Sequence, residues 1–320
     1  MQQTKLESFF KIQVSHNPRA LGCFIYDPLK RRAFFATTPE EGKDKYIAKK
    51  AGIHLYYREL QDTCVFVPPN IVTGENVGVP LLKSNLQKAI RRGNTRVAID
   101  TTFLLLKIAP SDFFRRLAII YIEDVCLQDS YPIIVWLMIA QNEYRLQPTD
   151  YYIILNIVTN LCECSSCYEE RSSETAYVKT HIELQDVAQG RDQILALYYR
   201  FLYGGMKGDI AMLSNAISYY LQNPDTIFVT KYDNVSIILT NTRLTILDVA
   251  IDFHPFPHML YYISNRTLAP KERVKQLIWE AESAYNIRKP SIISKSQKAK
   301  AQPDWDIIWP HLSTFRATFS

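Results

Sequence analysis

The stretch ILDVAIDFHPFPHML brings Asp248, Asp252, His254 and His258 close together in the chain. Two carboxylates and two imidazoles can hold a divalent metal and activate a water, which would make this a nuclease-like or other hydrolytic centre. Pro255 and Pro257 set the competing reading: a loop leading into a helix, in which Asp and His serve as caps. A second group is Cys162-x-Cys164-x-x-Cys167, with Cys126 upstream. Its spacing suits zinc thiolates, but a structural zinc site needs four ligands and the fourth is not evident. Glu163 also sits between the first two cysteines. The alternative is a set of thiols at a helix end.

Three more patterns carry charge. In YGGMKGD, from Tyr203 to Asp209, Gly204, Gly205 and Gly208 surround Lys207. This suits either an anion-binding nest at a helix N-terminus or a tight turn between helices. Glu123 and Asp124 suit general acid–base work or a helix–helix contact. Lys83, Lys88, Arg91, Arg92, Arg96, Arg115 and Arg116 come from two segments expected to be neighbouring helices. On one face they would contact DNA phosphates without reading sequence. Alternatively, Arg115 and Arg116 anchor Glu123 or Asp124 inside a bundle.

The elements that must position these residues follow from periodicity. CFIYDPLKRRAFFATTP reads as two paired strands with Pro28 in the turn, and the run Cys64 to Val67 adds a further strand. From Leu81 the apolar spacing becomes helical. Leu82, Leu86 and Ile90 share one face, and Gly93-Asn94 marks a stop. Pro110-Ser111-Asp112, Asp129-Ser130 ahead of Pro132, and Pro148-Thr149-Asp150 mark three more starts. Four helices joined by short loops predict an antiparallel bundle. Beyond it, two helices flank Gly204-Gly205, a hairpin is expected across residues 226–241 with Asp233-Asn234 at its turn, and an amphipathic helix follows Pro270. Residues 290–303 read as a polar, basic linker.

Composition bounds the class. The 320 residues are 47% apolar and 22% charged, with a formal net charge of +5, so composition alone does not announce a nucleic-acid binder. No run approaches the roughly 18 apolar residues of a membrane span, and no secretory signal is visible. Six cysteines are then expected as reduced thiols of an intracellular protein.

The segment LQKAIRRGNTRVAIDTTFLLLKIAPSDFFRRLAIIYIEDVCLQDSYP resembles the C-terminal helical region of the RarA/MgsA ATPases, the family of the Werner-helicase-interacting protein. The resemblance rests on Leu86-Gln87-Lys88, Arg91-Arg92-Gly93, Arg115-Arg116-Leu117 and Glu123-Asp124-Val125. It implies a bundle like a clamp-loader collar and a role beside a replication machine. The family's ATPase module has no counterpart here. No G-x-x-x-x-G-K-[ST] occurs; in the nearest approach Gly42-Lys43 is followed by Asp44, and Thr37 stands where the first glycine belongs. ATP hydrolysis is not implied, and no cofactor is called for.

Near the N-terminus, Gln3-x-x-Leu6-x-x-Phe9-Phe10 resembles a PCNA-interacting peptide, the PIP box. One helical turn puts Leu6, Phe9 and Phe10 on one face as a plug for a hydrophobic pocket, with the Gln3 amide for a polar one. The alternative is a first amphipathic turn packed on the chain's own domain.

The sequence therefore predicts a mainly α protein with five parts. Residues 1–12 are a flexible clamp-binding peptide, 13–80 a small mixed α/β region and 81–168 a collar-like bundle. Residues 169–289 are a helical region and 290–320 a basic linker and tail. The expected function is a DNA replication or repair accessory factor that binds the PCNA sliding clamp. Expected further partners are DNA, a second copy or a replication ATPase, without membrane and with a nuclear location. The alternatives are a clamp-recruited metal-dependent hydrolase at Asp248, Asp252, His254 and His258, and a non-catalytic scaffold subunit.

Overall fold

The expected hairpin forms from β1 (Cys23–Asp27) and β2 (Arg32–Ala36), paired antiparallel. The Asp27 side chain accepts from the Lys30 amide and closes the turn that contains Pro28. A second hairpin, β3 (Asp44–Lys50) with β4 (Ile53–Arg58), turns on Ala51 and Gly52, both at positive φ as a two-residue hairpin loop requires. β4 lies parallel to β1, giving the order β2-β1-β4-β3. Arg58 ties the hairpins together by reaching Asp44 (2.7 Å), Asp27 (3.0 Å) and Glu40 (3.0 Å). This computed structural model describes residues 22–60, 65–164, 182, 184–188, 190–230, 242–253, 256–278 and 295–319.

The sheet's inner face follows strand alternation. Phe24, Tyr26, Ala33, Leu55 and the partly buried Phe35 and Tyr57 all join the main core. Phe24 stacks on Phe35 at 4.1 Å, and Phe35 on Tyr199 of the helical layer at 5.3 Å. The expected strand at Cys64–Val67 is not found. Cys64 lies outside the described residues, and Val65 to Val67 are irregular, with Phe66 alone turned inward against Phe103 and Tyr151. The two valines face solvent, so β propensity found no partner strand. The described part of 13–80 is strand and loop until helix begins at Val79, where a mixed α/β region is expected.

Helices then follow as α1 (Val79–Arg91), α2 (Thr95–Ile108), α3 (Pro110–Asp124), α4 (Tyr131–Ala140) and α5 (Pro148–Glu163). The bundle has five helices, not four, because Gly93-Asn94 is both a stop and a start. Gly93, at φ 68°, ends α1 in a Schellman motif, with Gly93 N–H on the Ile90 carbonyl and Asn94 N–H on that of Ala89. The Asn94 side chain then accepts from Val97 N–H and caps α2. Pro residues at N1 or N2 open α1, α3, α4 and α5.

After α6 (Leu184–Val187) come α7 (Asp192–Leu202) and α8 (Lys207–Gln222), the pair expected around Gly204-Gly205. Both contribute to the same core as the sheet and α1–α5, so that core runs through the 168/169 division. A short parallel pair, β5 (Ile71–Val72) and β6 (Thr242–Arg243), precedes α9 (Asp248–Phe253). Last come α10 (Phe256–Ser264), α11 (Lys271–Ile278) and α12 (Lys295–Ala317). These three share a small core of Met259, Leu260, Ile263, Val274, Leu277, Ile278, Ile308 and Leu312. The expected basic linker and tail is therefore largely helix. Lys, Gln and Ala are good helix formers, and Ile308 and Leu312 bury one face of it. The expected hairpin across residues 226–241 falls mostly outside the described residues.

Helix α4 is the centre of the packing. All ten of its residues are buried, and it meets β1, β2, β3, α3 and α7. Trp136 Nε1–H donates to the Phe24 carbonyl at 3.0 Å, linking helix to sheet. Trp136→Ala is expected to cost about 3–5 kcal/mol in urea unfolding, a large part of a typical net stability of roughly 5–15 kcal/mol. A loss under about 1 kcal/mol would show that the sheet does not depend on this contact.

Candidate functional site

The best-developed polar cluster joins α1 to α3. Asp124, buried at the end of α3, accepts from Arg91 Nε on Oδ1 and from Gln87 Nε2 (2.9 Å) on Oδ2. Arg91 Nη2 also lies 3.7 Å from Glu123 Oε1. The spacing of Gln87 and Arg91, four apart on α1, makes this possible by placing both on one helix face. Burial pushes the Glu123 carboxyl up, and the charge of Asp124 adds to this, while Arg91 opposes it. Glu123-Asp124 is thus a helix–helix contact, and its anchor is Arg91 rather than Arg115 or Arg116.

This corrects the expected basic face. Lys88 and Arg91 are buried, at 8% and 4% exposure, and neither is presented to a phosphate outside. Lys83 pairs with Asp112 at 2.7 Å, and Arg96, on α2, with Asp100 at 3.0 Å. Arg92 and Arg116 are half-buried and Arg115 is exposed. Arg116 acts electrostatically on Glu123, whereas Arg115 lies over the Tyr203 ring at 5.7 Å, toward α7. The cations belong to neighbouring helices, but Lys88 and Arg91 are buried beside Asp124 and Glu123, whose charges oppose the desolvation cost of that burial.

The hydrolytic reading loses its donors. Arg316 of α12 grips Asp252 of α9 through two hydrogen bonds, 2.8 and 2.6 Å, and its Nη1 lies 3.4 Å from Asp248 Oδ2. His258 is exposed on α10, and His254 lies outside the described residues. Asp248 lines a cavity of about 480 Å³ with Arg243, Leu244, Trp309 and Arg316, but the guanidinium occupies the side on which a cation would need carboxylates. Among the described residues, no group of three or more His, Cys, Asp or Glu side chains is placed to hold a metal. Cys162 and Cys164 are buried at the end of α5, with the Cys126 and Cys164 sulfurs 4.0 Å apart, while Cys167 lies outside the described residues.

Gln3, Leu6, Phe9 and Phe10 also lie outside the described residues. The glycine turn is present: Gly204 has φ 83°, and its carbonyl accepts from Arg200 Nη1 at 2.7 Å. Two residues escaped the sequence reading. Arg316 gave no local signal, since its partners stand far back in the chain. Arg200 did give one, as a lone cation inside ILALYYRFLY. The chain matches no family model, no curated protein and no solved structure.

Lys88 supplies a pH test. Burial, reinforced by Arg91, lowers its pKa from 10.5 to about 8, against the pull of Asp124 and Glu123. Below about 8 both folded and unfolded chains carry the charge, and the full penalty is present. Between about 8 and 10.5 the unfolded chain binds more protons, so this contribution to stability rises with pH. The rise should total about 3 kcal/mol in denaturant titrations, and Lys88→Met should flatten it relative to wild type. Parallel pH profiles for the two proteins would contradict the burial.

Proposed function

We propose that this chain is a DNA replication or repair accessory protein that docks on the PCNA sliding clamp. The reading is carried by one observation, the four-position pattern Gln3, Leu6, Phe9 and Phe10. Leu6, Phe9 and Phe10 supply three apolar anchors on one helical turn, each worth roughly 1.5–3 kcal/mol when fully buried. Ordering the segment offsets part of that gain, which leaves micromolar affinity as the expectation. Two structural features support a binding role over a catalytic one. The pairs Arg91–Asp124 and Arg316–Asp252 neutralise carboxylates that a hydrolytic centre would need unencumbered.

The helical bundle would act as a collar-type scaffold, in keeping with its resemblance to the RarA/MgsA region, and would meet a second copy or a replication ATPase. Contact with DNA, on this reading, falls to Arg92, Arg96, Arg115 and Arg116 and not to the buried pair. In such a protein the clamp supplies the localisation, which would be nuclear, and the folded body supplies the cargo surface.

A peptide of residues 1–15, titrated into PCNA by fluorescence polarisation, should bind with a Kd on the order of 1–100 µM. In the full chain, Phe9→Ala with Phe10→Ala should weaken binding about a hundredfold or more, as loss of interface anchors does. Absence of saturable peptide binding below about 1 mM would overturn the proposal.

A further inference from the structure

Helix α7 carries Arg200 within an otherwise apolar run, and the fold buries it to 2% exposure. Its guanidinium donates from Nη1 to the Gly204 carbonyl, and Nε has no hydrogen-bond partner. Among the described residues no carboxylate lies within ion-pair distance of it. The charges nearest in effect are the cation Arg115 and the carboxylate Asp209. The hydroxyl of Tyr131, which is fully buried and interacts electrostatically with Arg200, also lacks a partner. Burying a guanidinium with one carbonyl for company and a second guanidinium nearby is strongly unfavourable unless an anion joins them.

The loop beside Arg200 is built to admit one. Helix α8 starts at Lys207 with Met206 as its N-cap, and no side chain caps it, so its first-turn amides remain open. A Cβ at Gly205 would stand 3.7 Å from both Arg200 Nη2 and Asp209 Oδ2, so the guanidinium and the Asp209 carboxylate both border this glycine. Arg115 reaches the same turn over the Tyr203 ring, and Lys207 is exposed at its rim.

We propose that the α7–α8 turn binds a phosphate dianion, held by Arg200, Arg115, Lys207 and the first-turn amides of α8. Three cations against the single carboxylate of Asp209 leave two positive charges, which matches a phosphate monoester or inorganic phosphate. The depth of Arg200 favours a compact or chain-terminal phosphate over an internal phosphodiester, whose two ester links would meet the loop. The inference is independent of clamp binding, because no residue of the N-terminal peptide takes part, and it shares only Arg115 with the DNA contact proposed above.

The test uses thermal unfolding of the full chain with inorganic phosphate, against chloride at matched ionic strength. Phosphate should raise the midpoint saturably and chloride should not. Arg115→Ala and Lys207→Ala, both on exposed side chains, should each weaken phosphate about tenfold, the loss expected for one charged hydrogen bond. Asp209→Asn should tighten it. A second arm offers a short oligonucleotide with and without a 5′-phosphate. Competition by the phosphorylated strand alone assigns the site to a nucleic-acid end, and saturation by inorganic phosphate without such competition assigns it to a free anion. Identical phosphate and chloride curves, or a phosphate response unchanged in both alanine variants, would overturn the proposal.

Discussion

Every residue from Tyr131 to Ala140 is apolar and buried, and a helix with no polar side must be enclosed on all sides. That constraint explains the arrangement around it. The sheet covers one side through Phe24, Tyr26 and the Trp136 hydrogen bond to Phe24, and α3 and α7 close others. Neither a bundle alone nor a sheet alone would bury this helix, so the two layers share one core. The small cluster formed by α10, α11 and α12 is a separate apolar unit, joined to α1 by way of α9.

Enclosure has an electrostatic consequence. Charged side chains drawn into the core must be paired or remain costly. Asp124 shows the first outcome: two donors from α1 satisfy it and fix the register of α1 against α3. Asp252 repeats it with Arg316, which pins the C-terminal helix to α9. Arg200 shows the other outcome, a buried cation whose surroundings supply a carbonyl and, among the described residues, no carboxylate contact. The contrast between satisfied and unsatisfied charge separates residues that hold the fold from one placed for a ligand.

Much of the helical part was legible because its signals are local. Pro110, Pro132 and Pro148 mark helix starts, Gly93 marks a stop, and the Leu82-Leu86-Ile90 face is buried as its spacing implies. The double role of Asn94 was not legible, since a cap is read either as an end or as a beginning. Strand β3 was missed because DKYIAKK is an exposed edge with a weak apolar pattern. Strand β4, IHLYYR, was missed although it alternates buried Ile53 and Leu55 with half-buried residues, and VFV further on has β composition but no partner strand among the described residues. Fates of charges were the hardest to read. Whether Arg91 faces a phosphate or Asp124 depends on which helix lies opposite, and Arg316 meets Asp252 only through tertiary packing.

On this reading the chain divides into a folded body with its own core and a terminal peptide that binds the clamp. Removing residues 1–12 and measuring both thermal unfolding and PCNA binding tests that division directly. The account predicts an unfolding midpoint within about 2 °C of the full chain, a difference too small for lost core packing, and no detectable clamp binding. A truncated chain that still binds PCNA as the full chain does, or that loses its cooperative unfolding, would contradict it.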